Sequence, residues 1–432
     1  MEQQSLTTAG LAGWLGALLT LTADVSDAEH IDRIRLLENI KGAICAAQAR
    51  EAVALKRSVI AAEAEQGVPA RKRGRGVAAQ VALARRESPH RGDRMMGLAQ
   101  ALVEELPHTM AALTTGQISE WRATLVCRET ACLSVEHRRE VDRRIAERLP
   151  AMSDREVAAT TRRAGYHLDP RSVVDRAARA ENDRRVTLRP APDTMTVLSA
   201  VLPVAQGVAV YAALSKAADT ARTQGDPRSR GQVMADTLVT RTTGQNQADQ
   251  TPIELQLVMT DNTLLGHDHT PAEIPGYGPI PSSVARSLLA DLDPDTNLWL
   301  RRLYTNPRTG ELIAMESKRR LFPQPMRRYV QTRDQYCRTP WCGAPIRHTD
   351  HITPHRLGGP TNASNAQGLC ERCNQVKETT GWHARPGPRG EVVTTTPTGH
   401  RYTSTPPPLL EPGQLPRARL DIEFIGEWAR AA

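Results

Sequence analysis

Between two pairs of cysteines the chain reads Thr349-Asp350-His351-Ile352-Thr353-Pro354-His355-Arg356-Leu357-Gly358-Gly359-Pro360-Thr361-Asn362. The first pair is Cys337 and Cys342, the second is Cys370 and Cys373, and 27 residues separate the pairs. Paired thiolates at this spacing can hold a structural zinc ion in tetrahedral geometry. The carboxylate, imidazole and amide side chains inside can hold a second, catalytic cation beside a general base. The stretch therefore predicts two metal sites of different kinds.

The same stretch predicts a strand, a loop, a return strand and a helix in that order. The strands are expected at residues 346–351 and 365–369, around a Gly-Gly-Pro loop at 354–361, and the helix starts at Cys370. Neighbouring strand residues point to opposite faces, so Asp350 and His351 can converge on one phosphate only if the strand ends or bulges there. Pro354 predicts such an early end. A zinc ion held by all four thiolates would clamp the two ends of this unit together.

The composition predicts an α+β fold that is mainly α. Only 3% of the 432 residues are aromatic, so the cores must be built from Ala, Val, Leu and Ile, which favours helices. The seven cysteines are an odd number, and three of them lie in helix-like sequence, which argues against a secreted disulfide framework. Polar residues interrupt the apolar stretch 11–25, and the start lacks the basic residues of a secretory signal. We predict a cytoplasmic protein without membrane spans.

The excess positive charge lies in one part of the chain. Residues 316–390 contain 13 Lys and Arg against 5 Asp and Glu, and this net +8 equals the formal charge of the whole protein. A basic segment favours a polyanion as partner, because each neutralised phosphate releases condensed counterions. A solvated, solubilising face is the alternative. Because the basic run lies beside the predicted metal sites, we predict nucleic acid as the partner.

Hydrophobic periodicity divides the chain into four segments. An N-terminal segment at 1–25 precedes a helical region at 26–315, a metal-binding domain at 316–395 and a Pro-rich tail at 396–432. In the helical region, the pattern Ser26-Asp27-Ala28-Glu29 predicts the start of a long helix, and Ser153-Asp154-Arg155-Glu156 predicts a second capping box. Alternating residues predict a hairpin around 186–197, a strand at 253–260 and a second hairpin at 298–315.

The metal-binding domain resembles the HNH endonucleases that have a cysteine-clamped ββα-metal core. The matching residues are Asp350-His351-Ile352, Gly358-Gly359, Asn365, Leu369-Cys370, Cys373-Asn374 and Lys377, within about residues 330–385. The resemblance implies phosphodiester hydrolysis in DNA, with His351 as general base and Asp350 and Asn374 as ligands of Mg²⁺ or Mn²⁺. Asn365 is expected to hold the loop and orient the base. Lys377, Arg356 and His355 are candidate phosphate contacts.

Two return-strand positions depart from the HNH pattern. Ala366 and Gly368 are smaller than the apolar residues common there, so we expect a thin core around the catalytic strands.

The helical region resembles the bacterial domain of unknown function 222 over roughly residues 30–315. The matching motifs are Glu105-Leu106-Pro107, Leu113-Thr114-Thr115-Gly116-Gln117-Ile118-Ser119, Leu168-Asp169-Pro170, Arg184-Arg185-Val186-Thr187-Leu188 and Ala235-Asp236-Thr237-Leu238. That family implies no activity, so the protein partners stay unknown. Two alternatives to an endonuclease stay open: a zinc-clamped DNA-binding protein that does not cleave, and a scaffold whose zinc knot assembles complexes.

Overall fold

The computed structural model describes residues 7–21, 24–244, 269–274, 277–290 and 321–407, and its fold is α+β and mainly α, as predicted. The described helices are α1 Thr8–Leu19, α2 Asp27–Glu65, α3 Val77–Ala84, α4 Pro89–Glu104, α5 Pro107–Thr114, α6 Glu120–Thr130, α7 Val135–Ile145, α8 Asp154–Leu168, α9 Pro170–Ala180, α10 Val204–Thr223, α11 Arg230–Thr243, α12 Ser282–Ala290, α13 Gln324–Asp334 and α14 Glu371–Lys377. The described strands are β1 Arg185–Ala191, β2 Met195–Val201, β3 Ala272–Ile274, β4 Gly278–Ile280, β5 His348–His351, β6 Ala366–Leu369, β7 His383–Pro386, β8 Val392–Thr395 and β9 Arg401–Ser404.

The chain divides into two compact units. The first comprises residues 1–74 and 94–176, and the second comprises residues 75–93 and 177–432. Helix α3 therefore belongs to the second unit, although in the sequence it lies between the two segments of the first unit. The domain boundaries expected at residues 315 and 395 stay predictions.

Helices form the first unit around an aliphatic core. Its 16 clustered buried residues are Ala, Leu, Val, Ile and Met, as the low aromatic content predicts. One buried carboxylate organises this core: Asp142 is fully buried and accepts hydrogen bonds from the backbone amides of His108 (2.7 Å) and Thr109 (3.0 Å). These amides lie in the first turn of α5 and have no partners within the helix, so Asp142 caps α5 from α7.

Several local predictions are confirmed. Helix α2 begins after Ser26, whose side chain accepts a hydrogen bond from the Glu29 amide, and α8 begins with the complete capping box of Ser153 and Glu156. Strands β1 and β2 form the predicted antiparallel hairpin. The predicted strand at 253–260 and the hairpin at 298–315 lie outside the described residues. In the part of the chain that is described, no helix combines the length and the apolar character needed to cross a membrane.

The second unit contains the predicted strand, loop, strand and helix. Strands β5 and β6 pair antiparallel, with His351 opposite Ala366 and Asp350 opposite Gln367, and α14 follows β6 directly. Strands β7, β8 and β9 form a separate three-stranded antiparallel sheet. Strand β9 lies beyond residue 395, in the segment assigned to the tail, and it pairs along its whole length with β8.

Helix α3 packs against α14 and the three-stranded sheet. Ala79 and Leu83 are almost completely buried in one cluster with Val376 of α14, Trp382 and Tyr402 of β9. Gln80 accepts a hydrogen bond of 2.9 Å from the Thr398 hydroxyl, in the turn before β9, and Asp93 forms an ion pair of 2.6 Å with Arg372 of α14. Residues 75–93 are therefore part of the unit that carries the cysteines.

Candidate metal and catalytic site

The four cysteines lie together. The sulfur atoms of Cys337, Cys342, Cys370 and Cys373 are all within 4.8 Å of one another, and Cys342 Sγ lies 3.7 Å from Cys370 Sγ and 3.6 Å from Cys373 Sγ. Tetrahedral zinc with Zn–S bonds of about 2.3 Å requires sulfur atoms about 3.8 Å apart. Hydrogen bonds among the four thiols, those with Cys337 foremost, lower the pKa of Cys370 and raise the pKa values of Cys342 and Cys373. The arrangement fits zinc.

Local structure brings the cysteines together. Gly343 has a φ of 58°, in the left-handed region that favours glycine, and it turns the chain directly after Cys342. The Cys337 amide then donates to the Ala344 carbonyl at 2.9 Å, which closes the knuckle. Cys370 is the N-cap of α14, and its sulfur accepts from the Cys373 amide at 3.4 Å. The first helical turn therefore presents both sulfurs of the second pair.

Strand β5 ends at His351, as Pro354 predicts, and it brings Asp350 to helix α14. The ammonium of Lys377, the last residue of α14, forms an ion pair with Asp350 Oδ2 and donates a hydrogen bond of 2.6 Å to the His351 carbonyl. Both side chains are largely buried, Lys377 at 10% and Asp350 at 21% exposure. Lys377, predicted as a phosphate contact, therefore lies against the carboxylate predicted to hold the catalytic cation.

The His351 ring is fixed by contacts on two sides. Its Nε2 lies 2.9 Å from the Thr361 hydroxyl, and its ring centroid lies 4.4 Å from that of Phe322, with the planes tilted by 39°. The His355 ring lies edge-on at 5.6 Å. A half-buried imidazole held by a hydroxyl and an aromatic ring has little freedom to rotate, which suits a group that must meet one bound phosphate.

Asn365 holds the loop after β5. Its buried side chain accepts a hydrogen bond from the Thr353 amide at 2.8 Å, and its amide group donates to the carbonyls of Thr353 (3.0 Å) and Pro360 (2.8 Å).

The loop also needs both of its glycines. Gly358 has a φ of 84°, and a side chain at Gly359 would collide with the Thr353 carbonyl. Asn365 and the glycines therefore fix the backbone that follows β5.

Helix α13 and Phe322, two residues before it, fill the space beside the small residues of β6. Phe322, Met326 and Val330 form a buried cluster with Ala366, which is fully buried. At Gly368, the Ile346 side chain occupies the volume that a larger residue would take. The thin core expected from Ala366 and Gly368 is thus completed by α13 and Ile346.

A buried charge network ties this helix to both sheets. Asp334 accepts hydrogen bonds from Arg333 (2.7 Å), Arg338 (2.9 Å) and the Gly368 amide of β6 (2.7 Å). Arg338 also donates to the carbonyls of Ser404 in β9 (2.8 Å) and Gly390 in the β7–β8 turn (2.9 Å). All three charged side chains are at most 9% exposed. The network therefore joins α13, the β5–β6 hairpin and the three-stranded sheet.

Comparison with known families identifies both parts of the chain. A family model for a domain of unknown function, DUF222, matches residues 41–334, about two thirds of the chain. The chain belongs to the DUF222 family. The HNH endonuclease model matches residues 335–380, which contain the four cysteines, Asp350, His351 and α14. Both matches confirm the resemblances predicted from the motifs.

The named relatives of this DUF222 protein have no stated activity. Over 81 residues, 18% of the chain, it is 40% identical to the uncharacterized proteins Rv3776 and Rv2100 of Mycobacterium tuberculosis strain H37Rv. The matched segment covers 15% of Rv3776 and 14% of Rv2100, so this chain spans a small part of either relative. No solved structure matches the chain.

The other predicted residues of the HNH domain surround the same strand and helix. Asn374 is half-buried on α14, three residues before Lys377 and therefore on the same side of the helix. His355 and Arg356 lie in a short 3₁₀ turn after β5, and both are exposed. Arg356 and Lys377 each lie 3.7 Å from a carboxylate oxygen of Glu378. Arg356 and Lys377 are thus grouped at the end of α14, whereas His355 lies beside the His351 ring.

Several residues that support this site are not indicated by the sequence motifs. Phe322 and Thr361 contact His351, and the Asp334 network anchors β6. A signal existed for two of them: Thr361 lies within the motif, and Asp334 lies three residues before the first cysteine of the pair, Cys337. Phe322, one of two phenylalanines in the chain, carries no local signal, because its role depends on how α13 packs.

Proposed function

We propose that this DUF222 protein is a metal-dependent HNH endonuclease that hydrolyses phosphodiester bonds in DNA. The observation that carries the proposal is the end of β5 within the HNH-matched region, where Asp350 and His351 lie between the four-cysteine cluster and a loop held by Asn365. Zinc is the proposed structural ion, held by all four thiolates. Thiolates must stay reduced to bind it, so a cytoplasmic location belongs to the same proposal.

In this proposal, His351 is the general base. Imidazole titrates near neutral pH, which suits a group that must accept a proton from an attacking water molecule and release it again. Thr361 and Phe322 fix the plane of the ring, and Asn365 fixes the backbone that follows it.

Asp350 and Asn374 would hold Mg²⁺ or Mn²⁺, because hard divalent cations prefer carboxylate and amide oxygens. When bound, such a cation supplies positive charge beside the scissile phosphate. Because the Lys377 ammonium pairs with Asp350 Oδ2, a cation at that oxygen would bind in place of the lysine. Lys377, Arg356 and His355 are the proposed phosphate contacts.

A plasmid-nicking assay with Mg²⁺ tests the role of His351. We expect His351→Ala to lower the nicking rate by about 10²- to 10⁴-fold, the usual contribution of general acid–base catalysis. The matched control is His348→Ala, which removes an exposed imidazole from the start of the same strand and should nick like the wild type. Equal rates in the wild type and His351→Ala would remove His351 from this role.

A DNA-binding protein that does not cleave is the second candidate, and the same ion pair favours it. With Lys377 bound to Asp350, the carboxylate already has a positive partner without any metal ion. Binding of DNA by a zinc-loaded protein that shows no nicking with Mg²⁺ or Mn²⁺ would support this candidate over the first.

A further inference from the structure

The three-stranded sheet after the HNH-matched residues has two different faces. Cross-strand pairing places His383, Thr395 and Arg401 in one row and Arg385, Val393 and Thr403 in the next. Successive strand residues alternate between faces, so these six side chains share one face. His383, Arg385 and Arg401 are exposed, and so is Arg389 in the β7–β8 turn. We call these four residues the basic face.

The opposite face of the sheet is occupied by the protein itself. Tyr402 packs into the cluster formed by α3 and α14, and Val392 is 2% exposed. The carbonyls of Gly390 and Ser404 accept hydrogen bonds from buried Arg338. One side of the sheet therefore packs against the HNH domain, and among the described residues none covers the basic face.

Carboxylates of the described residues do not neutralise the arginines of the basic face. In the ranges that the structure covers, Arg385, Arg389 and Arg401 take part in no ion pair, whereas exposed arginines such as Arg143 and Arg144 pair with Glu140. Residues 383–404 contain a single carboxylate, that of Glu391. Glu391 lies opposite Gly387, whose amide donates a hydrogen bond to the Glu391 carbonyl, two residues along the chain from Arg385. A cluster of unpaired guanidinium groups matches the charge of a phosphate backbone.

The position of the sheet relates this charge to the candidate catalytic site. Strand β7 begins six residues after Lys377, the last residue of α14. Along one strand, side chains on the same face are about 6.8 Å apart. Across the sheet, β7 and β9 are separated by about 10 Å, because β8 lies between them. The basic face can therefore contact several phosphates of one DNA strand.

We propose that the basic face binds the phosphate backbone of duplex DNA that flanks the cleavage site. The inference rests on the proposed nuclease function, and it adds a contact surface outside the residues that the HNH model matches. Because the contacts are to phosphates, the surface adds affinity and orientation without reading sequence.

The test is duplex binding by the triple variant Arg385→Ala, Arg389→Ala and Arg401→Ala, in full-length, zinc-loaded protein with the His351→Ala background. Fluorescence anisotropy with two 20-base-pair duplexes of unrelated sequence is measured over a range of KCl concentrations. We expect at least tenfold weaker binding to both duplexes, and a salt slope smaller by about 2.7, since each lost phosphate contact removes about 0.9.

The matched control is the triple variant Arg155→Ala, Arg163→Ala and Arg171→Ala, which removes the same charge from exposed helical positions. Control binding should stay within twofold of the parent protein. An equal loss in both triple variants, an unchanged salt slope in the sheet variant, or absence of duplex binding by the parent would overturn the inference. Zinc content and melting temperature of the sheet variant should match the parent, because the substituted side chains are exposed.

The two proposals fail separately. If the wild type shows no nicking but the sheet variant loses duplex binding, the hydrolase proposal falls and the basic face stands. If the wild type nicks DNA and the sheet variant binds like the parent, the basic face falls and the hydrolase stands.

Discussion

The ion pair between Lys377 and Asp350 gives one lysine two possible functions. As a phosphate contact, Lys377 would have to leave Asp350 when DNA binds. As the charge partner of Asp350, it would compete with a divalent cation for the same carboxylate. The low exposure of both side chains strengthens their attraction, because little water screens it.

Substitution of Lys377 by Met distinguishes these functions. Met keeps the length of the side chain and removes the charge, so we expect Mn²⁺ to bind Lys377→Met about tenfold more tightly, equivalent to about 1.4 kcal/mol. Binding is measured by electron paramagnetic resonance of free Mn²⁺ in zinc-loaded protein without DNA. Lys56→Met, which removes a lysine bonded to Gln100 in the first unit, is the control. Unchanged Mn²⁺ affinity in Lys377→Met would show that the two cations do not compete.

Among the elements, helix α3 makes the least expected contribution. It has only eight residues, yet five of them are buried, and two pack against α14 and β9. Its partners lie almost 300 residues later in the chain. No periodicity within α3 indicates them, since an apolar helix shows that it is buried without showing against what.

Truncation of Leu83 tests this contribution. Leu83 is 1% exposed, so Leu83→Ala removes buried methyl groups and leaves a cavity, at an expected cost of about 2–5 kcal/mol. The loss should appear as faster hydrogen exchange at the amides of β8 and α14. Leu36→Ala, at a 59% exposed position of α2, should change exchange little. Unchanged exchange in β8 after Leu83→Ala would mean that α3 does not stabilise the sheet.

In the whole molecule, the two units differ in what holds them together. The first has a large aliphatic core of its own, whereas the β5–β6 hairpin and α14 of the second are short and meet at the four cysteines. A hairpin of two four-residue strands is marginally stable alone. Structural zinc contributes about 10–16 kcal/mol of apparent binding free energy, enough to decide whether such a unit folds.

Replacement of Cys370 by Ser should therefore unfold one unit selectively. We expect zinc content to fall from one ion per chain to none, with rapid hydrogen exchange in β5, β6 and α14 and protected helices in the first unit. Metal analysis and hydrogen exchange of full-length protein measure both effects. The control is Cys45→Ser in α2, which should keep its zinc. Retained zinc in Cys370→Ser would contradict the four-thiolate site.

Local sequence was sufficient to predict the elements and most of the candidate site. Capping residues, alternation and the cysteine spacing act within a few positions of the chain, so α2, α8, the β1–β2 hairpin and the cysteine cluster could be predicted before their packing was known. The roles of His351, Asp350 and Asn365 stay predictions, because geometry alone shows no reaction.

Contacts between distant parts of the chain required the folded structure. The Lys377–Asp350 pair, the support of His351 by Phe322 and the burial of α3 each join residues 27 or more positions apart. The open, basic side of the three-stranded sheet likewise follows from which side α3 and Arg338 cover. Charge and hydrophobicity are properties of single residues, but which of them meet, and which stay in contact with water, depends on long-range packing.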